Sequence, residues 1–269
     1  MIISALCFTV LNSLLRFVNH IPTFELVFFR AIGTVIICLV ILLRARIPIW
    51  GNNKPLLLAR AFFGLSSMAI FFYCLTLMPV GTAVSLRYLS PIFASIFALI
   101  LLKEKVKNIQ WLYFAIAFIG VIMLKGVDSR ISLTALSLIM VCAMLSGMVY
   151  VCIRKIGISE HPVVVVFYFL FCSMIVGGLL SIYNWYTPSQ NEWLILLSLG
   201  IFGFYAQYFM TKAIQIELAS KVVPFKYAEA IFTIIAGWLL FGESQSLIAL
   251  LAICIIIFAL LANTRVKVD

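Results

Sequence analysis

Charge is scarce in this sequence. Only 10% of its 269 residues are charged and 65% are hydrophobic, whereas a water-soluble domain carries about 25% charged and 45–50% apolar residues. Even a large soluble fold needs polar groups to cover its surface, so lipid is the solvent that suits this composition. Segments of about ten residues with alternating polarity, which build a membrane β-barrel, are missing as well. In their place stand long unbroken apolar runs such as IGTVIICLVILL and LIALLAICIIIFALLA. Backbone groups in hydrocarbon must be bonded within the segment itself, which a helix achieves for such runs.

Histidine is nearly absent: His20 and His161 stand apart, each at the end of an apolar run. The seven cysteines, Cys7, Cys38, Cys74, Cys142, Cys152, Cys172 and Cys254, lie inside apolar stretches with no CxxC pattern. That is the pattern of buried packing rather than of metal or redox chemistry. There is no Ser/His/Asp set and no GxxxxGK[ST] phosphate loop, so no cofactor is expected and an integral membrane enzyme is a minor alternative. The formal charge of +10 does not indicate nucleic acid, because the basic residues separate apolar runs instead of forming a patch. The first apolar run lacks a basic region and a small-residue cleavage site, and reads as a retained helix.

Ten segments of length near that of a membrane span can be marked, at about 1–18, 23–43, 56–78, 81–102, 109–125, 132–153, 162–182, 192–211, 220–241 and 246–262. The even-numbered connections carry Arg44, Arg46 and Lys54; Lys103, Lys105 and Lys107; Arg154 and Lys155; and Lys212 and Lys221, with Arg265 and Lys267 in the tail. The odd connections carry little beyond Arg16, Lys125 and Arg130. By the positive-inside rule both termini face the cytoplasm of a multi-pass inner (plasma) membrane protein. Trp50, Trp111, Trp185 and Trp193 fall near predicted span ends, where interfacial aromatics collect.

The chain repeats itself. A shift of 139 residues aligns GTAVSLRYLSPIFASIFALILLKE (81–104) with SKVVPFKYAEAIFTIIAGWLLFGE (220–243) without a gap. Arg87 then faces Lys226, Tyr88 faces Tyr227, Glu104 faces Glu243, and upstream Gly64 faces Gly203. Five spans are an odd number, so a second copy enters the membrane inverted. The expected fold is therefore all-α and integral to the membrane: ten transmembrane helices as two inverted five-helix repeats, at 1–128 and 129–269. Such repeats place a binding site near the midplane between the halves and let them rock around it.

These stretches resemble the drug/metabolite transporter superfamily, EamA-type. LVFFRAIGTVIICLVILLR is similar to that family's second helix, with its arginine at Arg30, and the run from RAFFGLSS through LILLKEKV is similar to its third and fourth helices, ending in Glu104. LGIFGFYAQYFMTKAIQIELASKVVPFKYAEAIFTIIAGWLLFGE is similar to the eighth and ninth. The resemblance covers essentially the whole chain and implies ten helices, a central cavity and transport of a small organic molecule. One departure is Ala230 in the ninth helix where the fourth has Pro91, the ninth having its proline at Pro224; kinks are thus expected at different positions in the two halves.

Ionisable groups within a membrane helix are costly unless paired or hydrated, so each is a candidate. Arg30 reads as a structural tie. Arg87 and Lys226 read either as gate or cavity cations or as side chains that snorkel to the headgroups. Glu229 shares a helix face with Lys226, either as an ion pair that hides both charges or as a carboxylate that exchanges a proton or recognises an amine. Glu104 and Glu243 end their helices, where the helix dipole disfavours a carboxylate, and are expected to bond loop amides or neighbouring helix N-termini. Glu25 is expected to be solvated. Asn12, Tyr73, Tyr88, Tyr150, Tyr208 and Tyr227 complete the expected lining, the tyrosines suiting a flat aromatic compound. Arg87, Lys226 and Arg30 outnumber Glu229, which leans the substrate toward an anionic or zwitterionic metabolite. A proton or a counter-substrate are both open as energy sources, and a channel or lipid scramblase is the main alternative.

Overall fold

The computed structural model describes residues 1–18, 20–78, 83, 86–125, 132–242 and 247–266. The described chain is helical: α1 Ile2–Phe17, α2 Thr23–Arg44, α3 Lys54–Leu77, α4 Ser90–Leu101, α5 Asn108–Lys125, α6 Leu133–Ile156, α7 Pro162–Ser181, α8 Gln190–Ile216, α9 Ala228–Phe241 and α10 Leu247–Thr264. Six of the helical segments are long and apolar enough to cross a membrane, and four shorter apolar helices (α1, α4, and parts of α5 and α10) bring the apolar helical segments to ten.

Two expected spans are not continuous helices. The fourth is helical at Ala83, Leu86 and Arg87, turns at Tyr88 and Leu89, and is helical again from Ser90. The ninth is divided into a short helix Ala219–Val222, a 3-10 segment Val223–Tyr227 and α9. Both prolines lie in the first turn of a helical piece, Pro91 in α4 and Pro224 in the 3-10 segment. Proline suits that position because its missing N–H would have no partner there. The expectation of kinks at different positions is corrected, since at the offset of 139 the start of α4 falls within one residue of the start of α9. The ends correspond as well. Lys103 has φ 55° just after α4 and Gly242 has φ 64° just after α9, the left-handed turn that closes many helices.

The largest helix contacts form a closed set under exchange of the two halves. α2 lies on α7 and α5 on α10; α1 on α8 is matched by α6 on α3, α1 on α9 by α6 on α4, and α2 on α8 by α7 on α3. In lipid, close backbone approach holds such helices together. At the α2–α8 crossing a Cβ on Gly33 would stand 2.9 Å from Gly200 Cα, so neither position has room for a side chain. Thr34 Oγ1 donates to Gly200 O across the same crossing at 2.9 Å. Two further contacts, α6 on α8 and α7 on α8, are not matched by comparable ones of α1 or α2 on α3. An apolar cleft of about 90 Å³ lies on that side, between Phe24 and Val27 of α2, Leu65, Met68 and Phe72 of α3, and Gly177 of α7.

Candidate functional site

The breaks before α4 and α9 bring helix starts into the interior. Glu229, expected in the middle of a helix, lies in the first turn of α9, where the helix dipole favours a carboxylate. It is 5% exposed. Its Oε1 accepts a hydrogen bond from Asn12 Nδ2 of α1 at 3.0 Å, and its Oε2 is ion-paired with Lys226 Nζ. The Lys226 ammonium also lies 3.7 Å from the centre of the Phe8 ring. At the matching place in the other half, Ser90 opens α4, which packs on α6. One carboxylate, one hydroxyl and two helix starts thus face the first helix of the opposite half.

The remaining groups gather around this core. The Tyr88 and Tyr227 rings lie 6.2 Å apart, and both hydroxyls are buried without a hydrogen-bond partner. The Arg87 guanidinium lies over Phe71 at 4.5 Å. Arg30, expected to be a structural tie, has a buried Nε with no partner and lies within electrostatic reach of Arg87 and Glu229. Its stem runs beside Gly203 of α8.

A fourth cation was not expected from the sequence. Arg60, seven residues into α3, is only 1% exposed. It donates through Nη2 to Gln207 Oε1 at 2.8 Å and stacks 4.0 Å from the centre of Phe169. Its Nε and Nη1 are buried without partners, and it lies within electrostatic reach of Arg30, Tyr150 and Cys152. Gly64 makes room for it, since a Cβ there would meet Arg60 Nη1 at 2.8 Å. A lone arginine in LLLARAFFGL was the available signal, masked by the basic residues at the start of the span.

Other expected lining residues lie elsewhere. Tyr73 is 58% exposed and shares the outward stripe of α3 with Leu58, Phe62 and Leu77, so the helix turns it away from the centre. Tyr208 stacks on Phe204 and lies under Lys212. Glu25, expected to be solvated, is buried and accepts a hydrogen bond from Tyr186 N at 2.9 Å, because α2 begins against the chain that follows α7. Glu243 and Pro79 lie outside the described residues.

The basic end of the bundle is tied across the two halves. Glu104 accepts from Arg154 Nε at 2.9 Å and from Ala219 N at 3.1 Å, the second being the start of the short helix before the 3-10 segment. Arg154 also donates to Gln215 O at 3.2 Å, and Gln215 Nε2 donates to Glu160 O at 3.0 Å. Glu160 in turn accepts from the backbone N–H groups of Asn52 and Asn53 at the start of α3, each at 2.5 Å.

The model of the EamA-like transporter family matches twice, at residues 1–125 and 133–265. The chain belongs to that family. Among relatives of this EamA-like transporter, the pseudopaline exporter of Pseudomonas aeruginosa is 27% identical over 99% of this chain and 95% of its own length. The S-adenosylmethionine uptake transporter of Rickettsia prowazekii is 29% identical over 84% of this chain and 77% of its own. The riboflavin transporter of Vibrio cholerae is 29% identical over 69% of this chain and 63% of its own. A crystal structure with 17% identity superposes with a TM-score of 0.86 over 97% of this chain and 94% of that one, a likeness of fold. The protein is a multi-pass small-molecule transporter of the drug/metabolite superfamily and not an enzyme.

Proposed function

We propose that this transporter is a secondary-active carrier of a small organic metabolite, anionic or zwitterionic, which moves it across the inner (plasma) membrane by alternating access between two inverted five-helix halves, with both termini in the cytoplasm. The observation that carries the reading is the central cluster, in which Arg30 and Lys226 lie within electrostatic reach of a single carboxylate, Glu229, and of Arg87, while Arg60 lies within reach of Arg30. Cations held in a low-dielectric interior recognise oxyanions strongly. Tyr88 and Tyr227, whose hydroxyls have no protein partner, are suited to orient the substrate and to stack on an aromatic part of it.

Alternating access is supported by the exchange symmetry of the helix contacts and by the tie at the basic end, which the positive-inside rule assigns to the cytoplasm. The cleft of about 90 Å³ is far smaller than the roughly 300–1,000 Å³ that a drug-sized ligand occupies, so entry requires the helices to separate. The relatives named for pseudopaline, S-adenosylmethionine and riboflavin support a metabolite as cargo, and as exporter and uptake systems they leave direction open.

The test is uptake of labelled anionic, zwitterionic and cationic metabolites by proteoliposomes. Saturable, stereoselective uptake of an anion or zwitterion, abolished by Arg87→Gln, is expected. Equal uptake of cationic analogues would sink the charge assignment. A non-saturable flux would make the protein a pore or scramblase.

A further inference from the structure

Among the described residues, no carboxylate neutralises the arginines at the centre. Lys226 has its own carboxylate three residues away. Among the described residues no carboxylate lies at ion-pair distance from Arg30, Arg60 or Arg87. The acidic residues other than Glu229 are committed elsewhere or lie in connections and the tail: Glu25 at the far end of α2, Glu104 and Glu160 in the tie at the basic end, Glu192 with His20, Glu217 with Lys221, and Asp128, Glu243 and Asp269 outside the described residues. A buried cation left unpaired is strongly unfavourable; Arg60 is one, and the partly exposed Arg30 of α2 lies within electrostatic reach both of it and of the partly exposed Arg87 before α4.

Arg60 is the most informative of them. Its burial is nearly complete, its ring stacking and one hydrogen bond to Gln207 fix its plane, and two of its N–H-bearing nitrogens remain without acceptors. A planar guanidinium held in that way presents a fork matched to a carboxylate or phosphoryl group. The elements around it, α3, α6, α7 and α8, come from both halves, so a ligand engaging it would touch both.

We infer that the substrate carries at least two negative charges, on carboxylate or phosphoryl groups, and that Arg60 is one of its anchors, engaging one anionic group while Arg30 and Arg87 serve the other. This rests on the transport reading above and narrows its substrate class. A monoanion would leave much of the central charge unmatched; a dianion or trianion matches it, Lys226 remaining with Glu229.

The full-length protein in detergent is titrated with lactate, succinate, citrate and glycerol 3-phosphate at constant ionic strength, and binding is read as thermal stabilisation. Succinate, citrate or glycerol 3-phosphate should bind about ten-fold or more tightly than lactate, the scale of one added charge-assisted contact. Arg60→Gln should erase that preference while changing lactate affinity little, and Arg60→Lys should restore it in part, keeping the charge without the fork. Without ligand, Arg60→Met should melt no lower than wild type, because an unpaired buried charge has been removed. Lactate binding as tightly as the polyanions in wild type overturns the inference with no variant needed. A preference that survives Arg60→Gln, or a lower melting point for Arg60→Met, returns Arg60 to a structural brace. Binding of none of the anions, or equal binding of an amine such as putrescine, overturns the anionic transport reading itself, a different outcome from failure of the polyanion preference alone.

Discussion

Removal of the Glu229 charge should be among the most damaging single changes in the protein. Glu229→Gln keeps the shape and can still accept from Asn12 Nδ2, now 3.0 Å from Oε1. It leaves the Lys226 ammonium, largely buried beside Phe8, without its counter-charge. Breaking a buried pair by neutralising one partner costs about 3–5 kcal/mol, and loss of a favourable charge in the first turn of α9 adds about 0.3–1 kcal/mol. Lys226→Met is milder, about 2 kcal/mol, because the remaining carboxylate keeps a charge-assisted bond from Asn12 and the helix start. The double variant Lys226→Met/Glu229→Gln should lie within about 1 kcal/mol of wild type, since removing both charges of a buried pair is often nearly neutral. Equilibrium unfolding by SDS in mixed micelles measures all three against wild type as a double-mutant cycle. Additive losses in the double variant, or a Glu229→Gln cost below about 1 kcal/mol, would refute the reasoning, because either means that the two groups do not depend on each other for neutralisation.

The tie at the basic end predicts that Glu104→Gln or Arg154→Met raises labelling of Cys152, in a chain with no other cysteine, several-fold by a thiol reagent applied from that face; unchanged labelling would mean that the tie does not hold that end closed. The turn after α4 predicts that Lys103→Gly stabilises the protein by about 1 kcal/mol in thermal or SDS unfolding, since Lys103 pays a left-handed penalty at φ 55° that Gly242 avoids at the matching site. The α2–α8 crossing predicts that Gly200→Ala destabilises by about 1–3 kcal/mol, because its Cβ would meet Gly33 Cα at 2.8 Å. Gly178→Ala should be much milder in the same measurement, its Cβ meeting only the Phe28 ring at 3.1 Å.

Helix number and type were legible because apolar length and charge placement are properties of a single segment. The breaks were not, although the prolines that accompany them were in view. Pro91 reads as a kink within a span, yet it stands in the first turn of α4, and whether a proline bends a helix or begins one depends on where the preceding turns find partners. The repeat alignment carries these breaks. It set Lys103 opposite Gly242 and Leu89 opposite Ala228, and those are the places where both helices end and begin.

The site divides along the same line. Lys226 and Glu229 are three residues apart, so their pairing follows from helical spacing; the third member, Asn12, is 217 residues away and only the contact of α1 with α9 brings it there. Arg60 was missed because no residue near it in sequence and no counterpart in the other half signals it: the matching position is Leu199. This difference has a functional side. The Lys226–Glu229 pair is local, three residues apart across the join of the 3-10 segment and α9, and stays neutralised however the halves stand. Arg30, Arg60 and Arg87 belong to separate segments, and Arg60 takes its stacking and its hydrogen bond from the opposite half through Phe169 and Gln207. If the halves rock, the separation of these arginines and the partners of Arg60 change together. A polyanion bound among them would therefore favour the arrangement that draws them closest, and its binding energy would act directly on the equilibrium between the open and closed forms.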